Sequence, residues 1–90
     1  MLKVYTLPVL PPESGLILMI PHKAYAFEFE MDEGGENPLI SVLLDPEDWC
    51  TPRRFVVYRT GWSMPERARV YLGFIHVGNM GWYLFEEFSR

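Results

Sequence analysis

Hydrophobic and polar residues alternate with a period of two over residues 24–31, with Tyr25, Phe27, Phe29 and Met31 on one face and Ala24, Ala26, Glu28 and Glu30 on the other. A helix would scatter those aromatics around its circumference. The segment therefore predicts a half-buried strand, with Tyr25, Phe27 and Phe29 in the core and Glu28 and Glu30 in water. Residues 3–7 and 39–44 also predict strands. Residues 16–20 are continuously apolar and predict a short strand buried on both faces, ended by Pro21. Later in the chain, residues 54–58, 69–77 and 82–88 read as strands. Gly73 inside the second of these predicts a bulge or a close backbone approach.

The intervening segments carry turn chemistry. Pro8, Pro11 and Pro12 forbid a regular helix and predict an extended connector that finishes at Ser14-Gly15. Residues 32–38 form an acidic, glycine-containing loop. Asp45-Pro46-Glu47-Asp48 predicts at most one helical turn, with Asp45 as its cap. A polar excursion follows Thr60-Gly61, and its Pro65-Glu66-Arg67 predicts a second short helical turn. Gly78-Asn79-Met80-Gly81 reads as a hairpin loop whose Gly and Asn can take positive φ. No helical periodicity lasts for several turns. The expectation is a single all-β domain over residues 1–90: a small antiparallel sandwich or partly open barrel of about seven short strands, with at most one or two helical turns.

Composition supports a packed domain: the chain is 49% hydrophobic and 16% aromatic. Its formal net charge of -4 is unevenly spread. Residues 1–45 hold two lysines against seven acids, and residues 46–90 hold six arginines against five acids. An acidic whole argues against broad nucleic-acid binding but leaves room for a local Arg-lined site. Cys50 is the only cysteine, which excludes an intramolecular disulfide and fits a reducing compartment. No apolar run approaches the roughly 20 residues of a membrane span. The N-terminus lacks the pattern of a signal peptide. These features predict a soluble protein of the cytoplasm with no membrane partner.

Catalytic chemistry finds no support. His22 and His76 lie far apart, and without a cysteine pair they make a poor zinc set. The acids of residues 32–36 lack the ligand spacing of a calcium-binding helix-loop-helix. No serine sits in a nucleophile elbow, and no glycine loop cradles phosphate. Glu86 and Glu87 alternate faces in a strand and so form no side-by-side carboxylate pair. The expectation is no enzyme, no metal and no cofactor. Binding chemistry is better represented. Trp49, Trp62 and Trp82, with Tyr58, Tyr71 and Tyr83, are interleaved with Arg53, Arg54, Arg59, Arg67 and Arg69. Aromatic rings beside guanidinium groups suit base stacking with a phosphate grip, and equally a protein interface. The candidate binding residues are Trp62, Arg59, Arg67, Arg69, Trp49 and Arg53. Trp49 and Trp62 fall in predicted loops, where an exposed indole serves recognition.

Several short motifs occur in a fixed order: Ile20-Pro21, Leu43-Leu44-Asp45-Pro46, Arg54-Phe55-Val56-Val57, Thr60-Gly61, Tyr71-Leu72-Gly73-Phe74, and Gly81-Trp82-Tyr83-Leu84-Phe85-Glu86. In that order the chain resembles, over nearly its whole length, a family of small phage and prophage proteins of unknown function. It departs from the family pattern at Trp62 and Tyr83, where the family has histidine, and at Phe74, where it has threonine. Any role of those histidines does not carry over. The resemblance implies a fold and a phage context. Together with small size and the absence of a catalytic set, it predicts a phage-encoded, non-enzymatic protein that binds a host protein or complex and inhibits or redirects it, as an anti-defence (anti-CRISPR-like) factor would. The acidic Glu28/Glu30 face with the 32–36 loop is positioned for nucleic-acid mimicry toward a basic host surface. Two alternatives stand beside it. One is a sponge for a small nucleotide-like signal, held between Arg and aromatic side chains of a homo-oligomer. The other is a virion or assembly component.

Overall fold

β4 (Pro38–Leu44) is the centre of one sheet because both of its neighbours need its apolar face. Ile40, Val42 and Leu44 point inward and are almost fully buried. β1 (Lys3–Pro8) and β3 (Tyr25–Met31) flank it antiparallel, giving a three-stranded sheet, sheet 1, in the order β1-β4-β3. The second, sheet 2, has four antiparallel strands: β2 (Leu18–Pro21), β5 (Cys50–Arg59), β7 (Met80–Phe88) and β6 (Ala68–Val77), in the order β2-β5-β7-β6. This computed structural model describes residues 1–9 and 17–88. The proposed connector through Pro11, Pro12 and Ser14-Gly15, and Leu16, lie outside the described residues.

The architecture is all-β with seven strands, two facing antiparallel sheets and no helix among the described residues. The sheets do not close into a barrel. Phe55 and Val57 of β5 and Leu84 of β7 meet Ile40, Val42 and Leu44 of sheet 1 to form the core, with Phe29, Leu72 and Trp82 packed at its margin.

Two bulges decide which side chains reach that core. In β3 the register runs Ala26 to Val42 and then Glu28 to Ser41, so Phe27 is the inserted residue. Ala24 and Ala26 face inward before the bulge and Phe29 after it, whereas Tyr25 is 63% and Phe27 47% exposed. The expectation that Tyr25, Phe27 and Phe29 share the core face is therefore corrected: an extra residue reverses the alternation midway. In β6 the register slips between Tyr71 and Gly73, as the glycine predicted. Leu72 then packs on the core, and Tyr71 and Phe74, three residues apart, share the outer face.

Other expectations are corrected in detail. Residues 18–21 are not buried on both faces, because Met19 on this edge strand is 63% exposed. Pro21 lies within β2, opposite Cys50, and does not end the strand before it. β5 begins at Cys50, earlier than expected, and runs through Pro52. There it pairs with β2 alone, since the β7 ladder starts at Arg54, and an unpaired edge tolerates a residue without an N–H. Residues 45–48 form a hydrogen-bonded turn and not the expected helical one, with Asp45 Oδ1 accepting from Glu47 N at 3.0 Å and its carbonyl from Asp48 N at 3.0 Å. Pro65-Glu66-Arg67 forms no helical turn. In the β6–β7 hairpin Gly78 has φ +63, and Asn79 does not share the left-handed conformation.

Candidate functional site

Charges in the middle of β5 and near the end of β7 build the site. The two strands pair antiparallel with Arg54 opposite Glu87 and Phe55 opposite Glu86. Alternation then sends Arg53 and Glu86 to the inner side of the sheet and Arg54 and Glu87 to the outer side. On the inner side the guanidinium of Arg53 grips Glu86 with two bonds, Nε to Oε2 at 2.7 Å and Nη2 to Oε1 at 2.8 Å. Its Nη1 donates to the Ala24 carbonyl at 2.6 Å and to that of His22 at 3.5 Å. Arg53 thus ties the β2–β3 turn to sheet 2, a clamp of the bidentate kind that orders both partners.

On the outer side the charges form a cluster. The Glu87 carboxylate is almost fully buried and accepts from Tyr58 Oη at 2.5 Å, Arg69 Nε at 3.2 Å, and Arg54 Nε and Arg67 Nη1, each at 3.4 Å. Three guanidinium groups, those of Arg54, Arg67 and Arg69, surround the one carboxylate of Glu87. Arg69 also donates to the Pro65 carbonyl and lies over the rings of Tyr58 and Phe85. Burial alone would raise the carboxyl of Glu87. The hydrogen bonds from Tyr58, Arg69 and Arg54 outweigh it and hold Glu87 below its ordinary value. Burial, reinforced by the Glu87 carboxylate, pushes the Tyr58 phenol above its ordinary value.

Trp62 borders this cluster. The turn after β5 closes with Trp62 N donating to the Arg59 carbonyl at 3.0 Å, and Gly61 supplies the φ of +89 that the turn requires. The indole is 41% exposed. Arg59 lies beneath it, its Cζ 5.9 Å from the Trp62 ring and 4.4 Å from that of Trp82, with Nε buried and unbonded. Trp62, Ser63, Pro65, Arg54, Tyr58, Arg67 and Glu87 line an open groove of about 480 Å³. A wider groove of about 870 Å³ shares Arg54, Arg67 and Glu87 and extends past Arg53 to His22.

Of the residues singled out in the sequence, Trp62, Arg67 and Arg69 come together around the cluster, and Arg59 supports Trp62 from below. Arg53 is committed to Glu86 on the other side of the sheet. Trp49 stands apart, stacked on His22 at 3.9 Å with 12° between the rings. Arg54, Tyr58 and Glu87 complete the site and were not among the candidates. Their signal is present in the sequence as Arg53-Arg54 at the start of one predicted strand and Glu86-Glu87 at the end of another. Antiparallel pairing brings such ends together.

The fold and site define a small two-sheet antiparallel β protein carrying an arginine-lined, tryptophan-bordered groove on one sheet. No protein-family profile, curated protein or solved structure matches the chain. Among the described residues no three His, Cys, Asp or Glu side chains gather as metal ligands, and no helix is long and apolar enough to cross a membrane.

Proposed function

We propose that the chain is a phage-encoded, non-enzymatic binding protein that acts in the host cytoplasm, where it seats an anionic group of a host protein in the Arg54–Arg67 groove against Trp62 and so inhibits or redirects that protein. The observation that carries this reading is the half-exposed Arg67 guanidinium in one groove with a 41% exposed indole. Arginine and tryptophan at the rim of one groove are the composition of an interface hot spot. The fixed guanidinium planes are preorganised for a carboxylate or phosphate, since Glu87 and the Pro65 carbonyl already hold Arg69 in place. The test is affinity capture from host lysate with the wild-type chain and with Trp62→Ala. A partner recovered in stoichiometric amount by the wild type and lost with Trp62→Ala supports the reading; no such partner defeats it.

A second reading places a nucleotide-like ligand in the same groove. Its concavity favours this, because about 480 Å³ lies within the range of small-molecule sites. The base would stack on Trp62 and the phosphate would meet Arg54 and Arg67. Thermal-shift measurements against a nucleotide panel separate the two, since a ligand that binds the folded state raises the melting temperature.

A further inference from the structure

The edge of a β-sheet presents a row of backbone N–H and C=O groups that another extended chain can pair. β1 and β3 bound sheet 1, and β2 and β6 bound sheet 2. Three of these edges carry features that discourage pairing. β1 begins at Lys3 and ends at Pro8, β2 is four residues long and ends at Pro21, and β3 is broken by its bulge at Phe27 beside exposed Glu28 and Glu30. β6 differs. Past its own bulge it runs Gly73-Phe74-Ile75-His76-Val77, with no proline, carboxylate, lysine or arginine. No described strand pairs with its outer edge, and β3, the element of sheet 1 nearest to it, shares no ladder with it.

The β6–β7 hairpin fixes which backbone groups on that edge are free. Its turn is the pair Gly78-Asn79, with Val77 opposite Met80. Positive φ at Gly78 alone makes this a type II′ turn, in which the two flanking residues exchange both of their hydrogen bonds. Alternation makes Ile75–Trp82 and Gly73–Leu84 bonded pairs too, so Phe74 and His76 turn their N–H and C=O to the open edge. Two open residues on either side of a closed one complement a second copy of themselves. Antiparallel pairing about a two-fold axis at Ile75 sets Phe74 of each copy against His76 of the other, and each such pair exchanges both bonds. The side chains fit the same register. Phe74 and His76 already meet edge to face on the outer side, at 5.3 Å and 70°, and a second copy extends that cluster of rings. On the inner side Ile75 meets its own counterpart. There Val77, 42% exposed, falls opposite Gly73, where an added Cβ would have no neighbour within 4 Å. We propose that the chain forms a two-fold dimer through the edge of β6, joining sheet 2 of both copies into one continuous sheet. The contact is isologous and closed, and it uses none of the residues that line the Trp62 groove.

Analytical ultracentrifugation tests this with His76→Pro and His76→Phe. The first removes an N–H that the fold leaves open and so blocks the edge, and the second keeps both the N–H and a ring. Circular dichroism first establishes that each variant folds, and Phe74→Pro stands in for a His76→Pro that does not. The wild type and His76→Phe are expected to sediment at twice the mass of one chain, and His76→Pro at the mass of one. Ile75→Cys in a Cys50→Ser background reads the register. The axis brings the two Cα atoms at residue 75 to about 4.5 Å, within the reach of a disulfide, so mild oxidation is expected to give a covalent dimer. A wild type monomeric up to millimolar concentration would overturn the proposal, and is the result if this edge takes an extended segment of a different protein instead. Two substitutions at His76 that behave alike, or a wild-type dimer whose Ile75→Cys form does not cross-link, would overturn it as well.

Discussion

Tyr58 donates its phenolic hydrogen to Glu87 at 2.5 Å although their register partners differ: Tyr58 pairs with Tyr83, and Glu87 with Arg54. The contact spans the row occupied by Val56 and Phe85, and Val56 is 1% exposed there. One hydrogen bond thus joins the aromatic part of the outer face to its charged part.

Removing either partner separates these roles. Tyr58→Phe deletes a donor to a charged acceptor and is expected to cost about 1.5–3 kcal/mol in urea denaturation. Glu87→Gln removes the carboxylate that Arg54, Arg67 and Arg69 share and is expected to cost more, on the order of 3–5 kcal/mol. Equal and small losses would mean that the cluster is solvated and contributes little.

Stability should fall at both extremes of pH. The folded-state value of Glu87 lies below its ordinary 4.5, so its contribution is fully present above that value and is lost as pH falls through the folded value. The folded-state value of Tyr58 lies above its ordinary 10.0, so its contribution is present below 10.0 and is lost as pH rises through the folded value. Melting curves against pH should show a shallower acid limb in Glu87→Gln and a shallower alkaline limb in Tyr58→Phe. Limbs unchanged from the wild type would assign the pH dependence to other groups.

The bulge in β3 predicts an asymmetry between two phenylalanines. Phe29 packs on the core, and Phe29→Ala is expected to cost about 3 kcal/mol. Phe27 is 47% exposed, and Phe27→Ala is expected to cost no more than about 1 kcal/mol. Chemical denaturation of the two variants checks this, and a larger loss at Phe27 would place the bulge elsewhere.

At the groove, Trp62→Ala is expected to change stability by less than about 1 kcal/mol while abolishing partner or ligand binding. Arg67, with its side chain 41% exposed, is the guanidinium most open to a ligand among those bonded to Glu87. Arg67→Ala should weaken binding and make it less sensitive to salt, as loss of a charge contact with an anionic group requires. Isothermal titration at two salt concentrations measures both effects. A Trp62→Ala variant that melts much earlier, or one that binds as before, would show that the indole serves the fold and not recognition.

The sequence by itself determined the class of the fold. Proline and glycine punctuation, short apolar runs and the period of two specify local backbone geometry, and those signals delivered all seven strands. Gly73 likewise announced its bulge, because a residue without Cβ in a strand has a local reason. The bulge at Phe27 has no such local mark: it is fixed by how β3 registers against β4, and it moved two aromatics off the face that their spacing assigns. The site divides in the same way. Trp62 and Arg67 were legible as an aromatic beside a cation within one loop. Glu87, the carboxylate they surround, lies twenty residues beyond Arg67. Only the antiparallel pairing of β5, β7 and β6 brings Arg54, Glu87 and Arg69 into one row. Periodicity tells which face of its own strand a side chain takes. Which charges meet across strands is set by register, a property of the folded sheet.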